Sequence, residues 1–164
     1  MAFFTKPTDI PDAPTPLAPL TQERITETLE RREMRYGVDD DGDIGGYWDG
    51  HLFYFFRLGD NGAYLQVRGR WNRPVPVSEL DAVTRLVNEW NAERLWPKGY
   101  VRAEDAHVGV YAEHTVDYQH GLTDDQLDTH LACSISTGLA LFEHLDEAYP
   151  EIAAAARAEL EKKD

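Results

Sequence analysis

Residues 51–71 read HLFYFFRLGDNGAYLQVRGRW, and this stretch decides the fold. Leu52, Phe53, Tyr54, Phe55 and Phe56 are apolar at every position. A strand carries such a run only when both of its faces are covered or when one face meets a partner, so it belongs at the centre of a sheet. Beyond a turn at Gly59 to Gly62 the pattern changes: Ala63, Leu65, Val67, Gly69 and Trp71 alternate with Tyr64, Gln66, Arg68 and Arg70. Successive side chains of a strand point to opposite faces, so this second strand buries one face and turns a polar, cationic face outward.

Upstream, the pairs Asp41-Gly42 and Asp49-Gly50 separate the apolar segments Tyr36 to Val38, Ile44 to Trp48 and His51 to Leu58. Asp-Gly between apolar runs is a strong hairpin signal and predicts a meander. Before it, Thr21 is a candidate N-cap for an amphipathic helix with Ile25 and Leu29 on its apolar stripe, running to about Arg35. Downstream, Pro74 and Pro76 end the strand, and Ser78 with Asp81 resembles a capping box opening a helix through Leu80, Val83, Leu86, Val87 and Trp90. That helix should stop before Pro97. Tyr100 to Ala103 and His107 to Tyr118 predict another hairpin. Thr123 and Gln126 form a second capping box before the longest helix, marked by Leu127, Leu131, Ile135, Leu139 and Phe142. Pro150 breaks it, and 151–162 predicts a short terminal helix. The order is helix, three to four strands, helix, two strands, two helices. Strands and helices segregated in this way indicate an α+β fold, a mainly antiparallel sheet packed against helices.

The chain has 164 residues, enough for one continuous core, with 42% hydrophobic and 28% charged residues. Residues 21–164 are expected to form one α+β domain behind a disordered proline-rich leader over 1–20, which holds Pro7, Pro11, Pro14, Pro16 and Pro19. These prolines interrupt any apolar core a secretion signal would need, and Phe3 and Phe4 read as unordered chain. Thirty acidic against sixteen basic side chains leave a formal charge of -14. Such a charge repels phosphate backbones and anionic lipid, so neither nucleic acid nor membrane is expected as a partner. Cys133 is the one cysteine, which excludes an intrachain disulfide and fits a reducing cytoplasm.

Three constellations invite chemistry. Asp39, Asp41 and Asp43 around Gly42 resemble a calcium loop, the basis for an alternative as a small-ligand or calcium sensor. The register fails an EF-hand, because Gly42 at the sixth position puts Gly37 at the first and Trp48 at the twelfth. A solvated turn is the preferred reading. His114, His120, His130 and Cys133 lack a spacing that would gather zinc, and no metal or cofactor is expected. Cys133 and Ser136 lie mid-helix with no nucleophile-elbow sequence, which leaves a hydrolase as an alternative without support and no catalytic residue to name.

The segments Asp39-Asp40-Asp41-Gly42-Asp43, Trp48-Asp49-Gly50, Leu65 to Trp71, Asn88-Glu89-Trp90-Asn91, Trp96-Pro97-Lys98 and Ser136-Thr137-Gly138 together resemble the YbjN family, bacterial sensory transduction regulators whose fold is similar to type III secretion chaperones. The resemblance implies a small α+β fold, self-association and a regulatory or chaperone-like role, with no catalytic residues.

Within this acidic chain Arg68, Arg70 and Arg73, with Arg94, Lys98 and Arg102, reverse the local sign. Arginine and aromatic side chains are enriched at binding hot spots, so Tyr64, Arg68, Arg70 and Trp71 are the expected binding surface for another protein or peptide. The competing expectation is that these arginines pair with the chain's own carboxylates. A homodimer is also expected, since Phe53, Phe55, Val87, Trp90 and Trp96 look like more apolar surface than one thin domain can cover.

Overall fold

The structure, a computed structural model, describes residues 16–162. The chain runs through α1 (Gln22–Arg31), β1 (Gly37–Val38), β2 (Ile44–Trp48), β3 (His51–Leu58), β4 (Tyr64–Arg70), α2 (Leu80–Glu93), β5 (Lys98–Glu104), β6 (His107–Asp117), α3 (Asp124–Ala148) and α4 (Pro150–Leu160). The six described strands form one sheet in the order β1-β2-β3-β4-β6-β5, every neighbouring pair antiparallel. This is the α+β architecture that the segregation of strands and helices predicts.

Local chemistry explains most boundaries. Thr21 accepts a hydrogen bond from the Arg24 N–H and caps α1. Thr123 and Gln126 complete a reciprocal capping box on α3, satisfying two backbone donors that the first helical turn would otherwise leave unpaired. Asp49 and Gly50 both have positive φ, 51° and 78°, the conformation a two-residue hairpin requires between β2 and β3.

Two helix boundaries differ from the sequence pattern. α1 ends at Arg31 because Glu33 enters the left-handed region (φ 56°) and the Met34 N–H returns to the Leu29 carbonyl. Ser78 and Asp81 do not form a capping box. Val77–Glu79 make a single 3-10 turn, with Glu79 N–H bonded to the Pro76 carbonyl, and α2 starts without a side-chain cap.

The core lies between the helices and one face of the sheet, where Phe53, Phe55, Val67 and Val110 meet Leu131, Ile135 and Phe142. Phe53 fixes the spacing of these layers. Its ring fits against Gly69 of β4 and Gly138 of α3, and a Cβ at those positions would lie 2.5 Å and 2.8 Å from it. Each such side chain contributes about 1.5–3 kcal/mol by leaving water.

The apolar surplus behind the dimer expectation is covered within the chain: Phe53, Phe55, Val87 and Trp90 are buried, and only Trp96 of that set stays exposed. Most of the expected leader, with Phe3 and Phe4, lies outside the described residues. Of its last residues, Leu20 is buried, and Ala18 exchanges backbone hydrogen bonds with Leu122. Among the described residues, no helix is long and apolar enough to cross a membrane.

Candidate functional site

The face of the sheet opposite the helices carries every second side chain of its strands, and the register sets them in rows. One row runs Leu52, Arg70, Tyr111, Tyr100, and the next Tyr54, Arg68, Glu113, Lys98. A third runs Phe56, Gln66, Thr115, and a fourth Leu58, Tyr64, Asp117. Arginines therefore stand in the middle of the face, flanked by aromatic rings on β3 and β5 and by carboxylates on β6.

Contacts across the rows make a connected lattice. Arg68 donates through Nε to Glu113 (2.8 Å) and through Nη2 to Gln66 (2.7 Å), and its guanidinium lies 5.1 Å from the Phe56 ring centre. Phe56 stacks on Tyr54 at 5.3 Å. Arg70 donates to Glu104 (2.6 Å), which also accepts from the Tyr111 hydroxyl. Tyr111 stacks on Tyr100 at 5.1 Å, and Arg102 lies over both rings. Glu113 collects Arg68, Lys98 and the Tyr100 hydroxyl.

Titration follows from these contacts. Burial pushes the Glu113 carboxyl up, but the bonds from Lys98 and Tyr100 and the charges of Lys98 and Arg68 outweigh it and hold the group below the usual range. The Tyr111 and Arg70 bonds likewise lower Glu104. Burial, then the bond it donates to Glu113, pushes the Tyr100 phenol up to about 12. At neutral pH the face therefore holds charged carboxylates and neutral phenols.

Of the four residues expected to bind a partner, Tyr64, Arg68 and Arg70 lie on this open face. Tyr64 is 43% exposed, and the Arg68 and Arg70 side chains are 36% and 38% exposed. Trp71 does not join them. The two-residue period turns it inward, it is fully buried, and its indole N–H donates to Asp146 (2.8 Å). The competing expectation of internal pairing holds for Arg68 and Arg70, yet each keeps N–H groups without a protein partner among the described residues. Arg102 is exposed and pairs with no carboxylate there. Arg73 is inside, held by Asp146 through two bonds (3.0 and 2.8 Å).

The sequence reading missed Asp146, which accepts from Trp71, Arg73 and Arg157 while 5% exposed. The available signal was an acidic residue four positions after Phe142, on the apolar stripe of α3.

The other constellations resolve into structure. The Asp39 carboxylate accepts the backbone N–H groups of Asp41 (3.1 Å) and Asp43 (2.9 Å), so it closes the turn. Among the described residues no three carboxylate, imidazole or thiol side chains converge as a metal site would require. His114 and His130 do meet, with ring centres 4.5 Å apart, and burial together with the neighbouring His114 lowers His130 to about 4. Ser136 donates to the Cys133 carbonyl. Ser134 contacts His114 Nδ1 at 2.9 Å but donates its own proton to the His130 carbonyl, so this imidazole nitrogen is the donor and does not activate the hydroxyl.

A family described as "YbjN: Putative bacterial sensory transduction regulator" matches residues 21–147. No curated protein matches the chain. A solved structure titled "Crystal structure of YbjN, a putative transcription regulator from E. coli" is similar in fold, with a TM-score of 0.67 at 12% identity, covering 82% of this chain and 97% of that one. The family match runs from the α1 cap through nearly all of α3 and includes the whole sheet with its open face; the chain belongs to the YbjN family.

Proposed function

We propose that this protein is a non-enzymatic, protein-binding regulator with a chaperone-like role in the cytoplasm of a bacterial cell, and that it takes its partner on the open face of the sheet. The observation that carries this reading is the lattice itself. The chain's net charge is -14, yet the outer rows of β4 and β5 gather Arg68, Arg70, Lys98 and Arg102 among exposed or half-exposed aromatic rings.

The unused guanidinium donors fit an extended, acidic protein segment, whose carboxylates would bond Arg102 and the free edges of Arg68 and Arg70. Tyr64 and Tyr54 offer apolar area beside them. Free Arg102 makes the surface more than a set of internal ion pairs. The solved relative is titled a transcription regulator. For this chain the overall charge and the carboxylates interleaved on the same face weigh against contact with DNA phosphates. Self-association belongs to the same reading through the family likeness, and light scattering on the purified chain tests it.

The experiment is capture of partners from the native cell with the wild type and with the double variant Arg68→Ala/Arg70→Ala, alongside the melting temperature of each. Lost capture at a retained melting temperature supports the reading. Unchanged capture removes it.

A further inference from the structure

A second feature is a cavity of about 1380 Å³ that wraps the β1–β2 edge, from the helix-covered side round to Leu52 and Tyr54 of the open face. Its inner end lies between the β2–β3 turn, α3 and α4, and its outer end reaches the acidic turn at Asp39 and Asp43. The two ends differ in chemistry. The inner end is lined by Leu139, Leu160, His51 and Arg157, with the Arg73–Asp146 pair behind them.

His51 is 3% exposed, and its Nδ1 accepts the backbone N–H of Asn72 at 3.0 Å. A neutral imidazole has one donor and one acceptor nitrogen, so the proton sits on Nε2. That nitrogen has no hydrogen-bond partner among the described residues, and the ring lines the cavity. A group bound in the cavity would lie within reach of this donor.

Arg157 supplies the second donor. Its side chain is 60% exposed, and only Nη2 is engaged, with Asp146 at 2.9 Å. At the ring itself, burial, then the charge of Arg73 and, against Asp146, that of Arg157 push His51 down to about 4, while the carboxylates of Asp49, Glu143 and Glu161 line this end at exposed positions. The ring therefore stays a neutral donor at physiological pH.

We propose that the inner end of this cavity binds a small organic carboxylate, held by the His51 Nε2–H and the Arg157 guanidinium, with Leu139 and Leu160 against its apolar body. The ligand adds to the contacts that already hold α4, which buries Ala153, packs Ile152 on the core, bonds Asp146 through Arg157 and sets Leu160 against Gly50. Occupancy therefore slows amide exchange in α4. The cavity's inner end lies on the helix side of the sheet and shares no residue with the arginine lattice, although its outer end reaches Leu52 and Tyr54 of the open face; Arg157 and Ala140 variants therefore test this site apart from the docking face.

The test uses the full chain with benzoate as probe and benzamide and benzylamine as its neutral and cationic counterparts, followed by NMR of the His51 ring and Arg157 side-chain signals. Benzoate should shift both saturably with a Kd of roughly 1 mM or tighter, as expected of a nine-atom ligand. Benzamide should bind more weakly and benzylamine should leave the signals unmoved. Arg157→Gln should weaken benzoate about tenfold, the loss of a little over 1 kcal/mol, while Arg157→Lys restores part of the affinity. Ala140→Trp, on the exposed rim of α3, should block the cavity and abolish the shifts with the fold retained. Absence of saturation in the wild type, equal binding of benzylamine, or undiminished binding in both Arg157→Gln and Ala140→Trp overturns the assignment.

Discussion

The two faces of the sheet are built from the same strands but hold their side chains by different means. On the inner face Phe53, Phe55, Val67 and Val110 are fixed by burial, and the chain's deepest charges, Arg73 and Asp146, sit there as a fully bonded pair. On the outer face Arg68, Arg70 and Tyr100 stay within reach of solvent and are ordered around Glu104 and Glu113, of which Glu113 is itself 6% exposed and held by three partners. Loss of an inner contact leaves a void or an orphaned charge. Loss of an outer contact is answered by water. The inner face thus sets stability, and the outer face has latitude for recognition.

The largest effects should come from the inner face. Asp146→Ala strands the Arg73 guanidinium and the Trp71 N–H in the interior, and should cost about 3–5 kcal/mol. Phe53→Ala empties the space between Gly69 and Gly138 and should cost a similar amount, about 3–5 kcal/mol. Urea unfolding measures both. A cost below 1 kcal/mol for either, on the scale of ordinary surface substitutions, would erase the distinction between the faces.

Next in size is the response to pH, in which the faces act in separate windows. His51 and His130 are lowered to about 4 in the folded chain, chiefly by burial, and burial also lowers His114. The unfolded chain takes up these protons near pH 6.5. Their stabilisation is therefore complete above about 6.5 and is lost as pH falls toward 4. Glu104 and Glu113 sit below their ordinary value. Their contribution is complete above about 4.3 and fades only as pH falls further. Melting temperature against pH should show an inner-face slope first, and His130→Phe should flatten part of it. A slope unchanged by that variant and by His51→Gln would contradict the assignment to the buried histidines.

Smaller still is the stability cost of an outer pair. Arg68→Ala removes the half-exposed partner of the buried Glu113 carboxylate, which keeps Lys98 and the Tyr100 hydroxyl, and should cost about 1 kcal/mol in thermal or urea unfolding, the upper end for an exposed pair.

The same contrast explains what the sequence reveals. The alternation from Ala63 to Trp71, the Asp49-Gly50 turn and the Thr123 capping box are local, and each has one physical reading. The α+β order follows from them. The partners of Arg68 and Arg70 are not local: Glu113 and Glu104 reach them because β4 pairs with β6 and passes over β5. Asp146 lies 73 residues from Arg73, and no period connects them. Trp71 shows two signals in conflict. Its aromatic character beside arginines suggested a binding surface, but strand parity already turned it inward, and parity prevails because a whole face of the strand is buried.

The most direct test of the outer face as the recognition surface is the affinity of a captured partner for the wild type and for Arg102→Glu. Arg102 is exposed and free of carboxylate partners among the described residues, so its substitution gives up its contact with the Tyr100 and Tyr111 rings but spares the ion pairs and hydrogen bonds of the lattice. The predicted result is a loss of roughly tenfold or more in affinity, the scale of a hot-spot arginine, at an unchanged melting temperature. Equal affinity of the two proteins would contradict the proposed role of the open face.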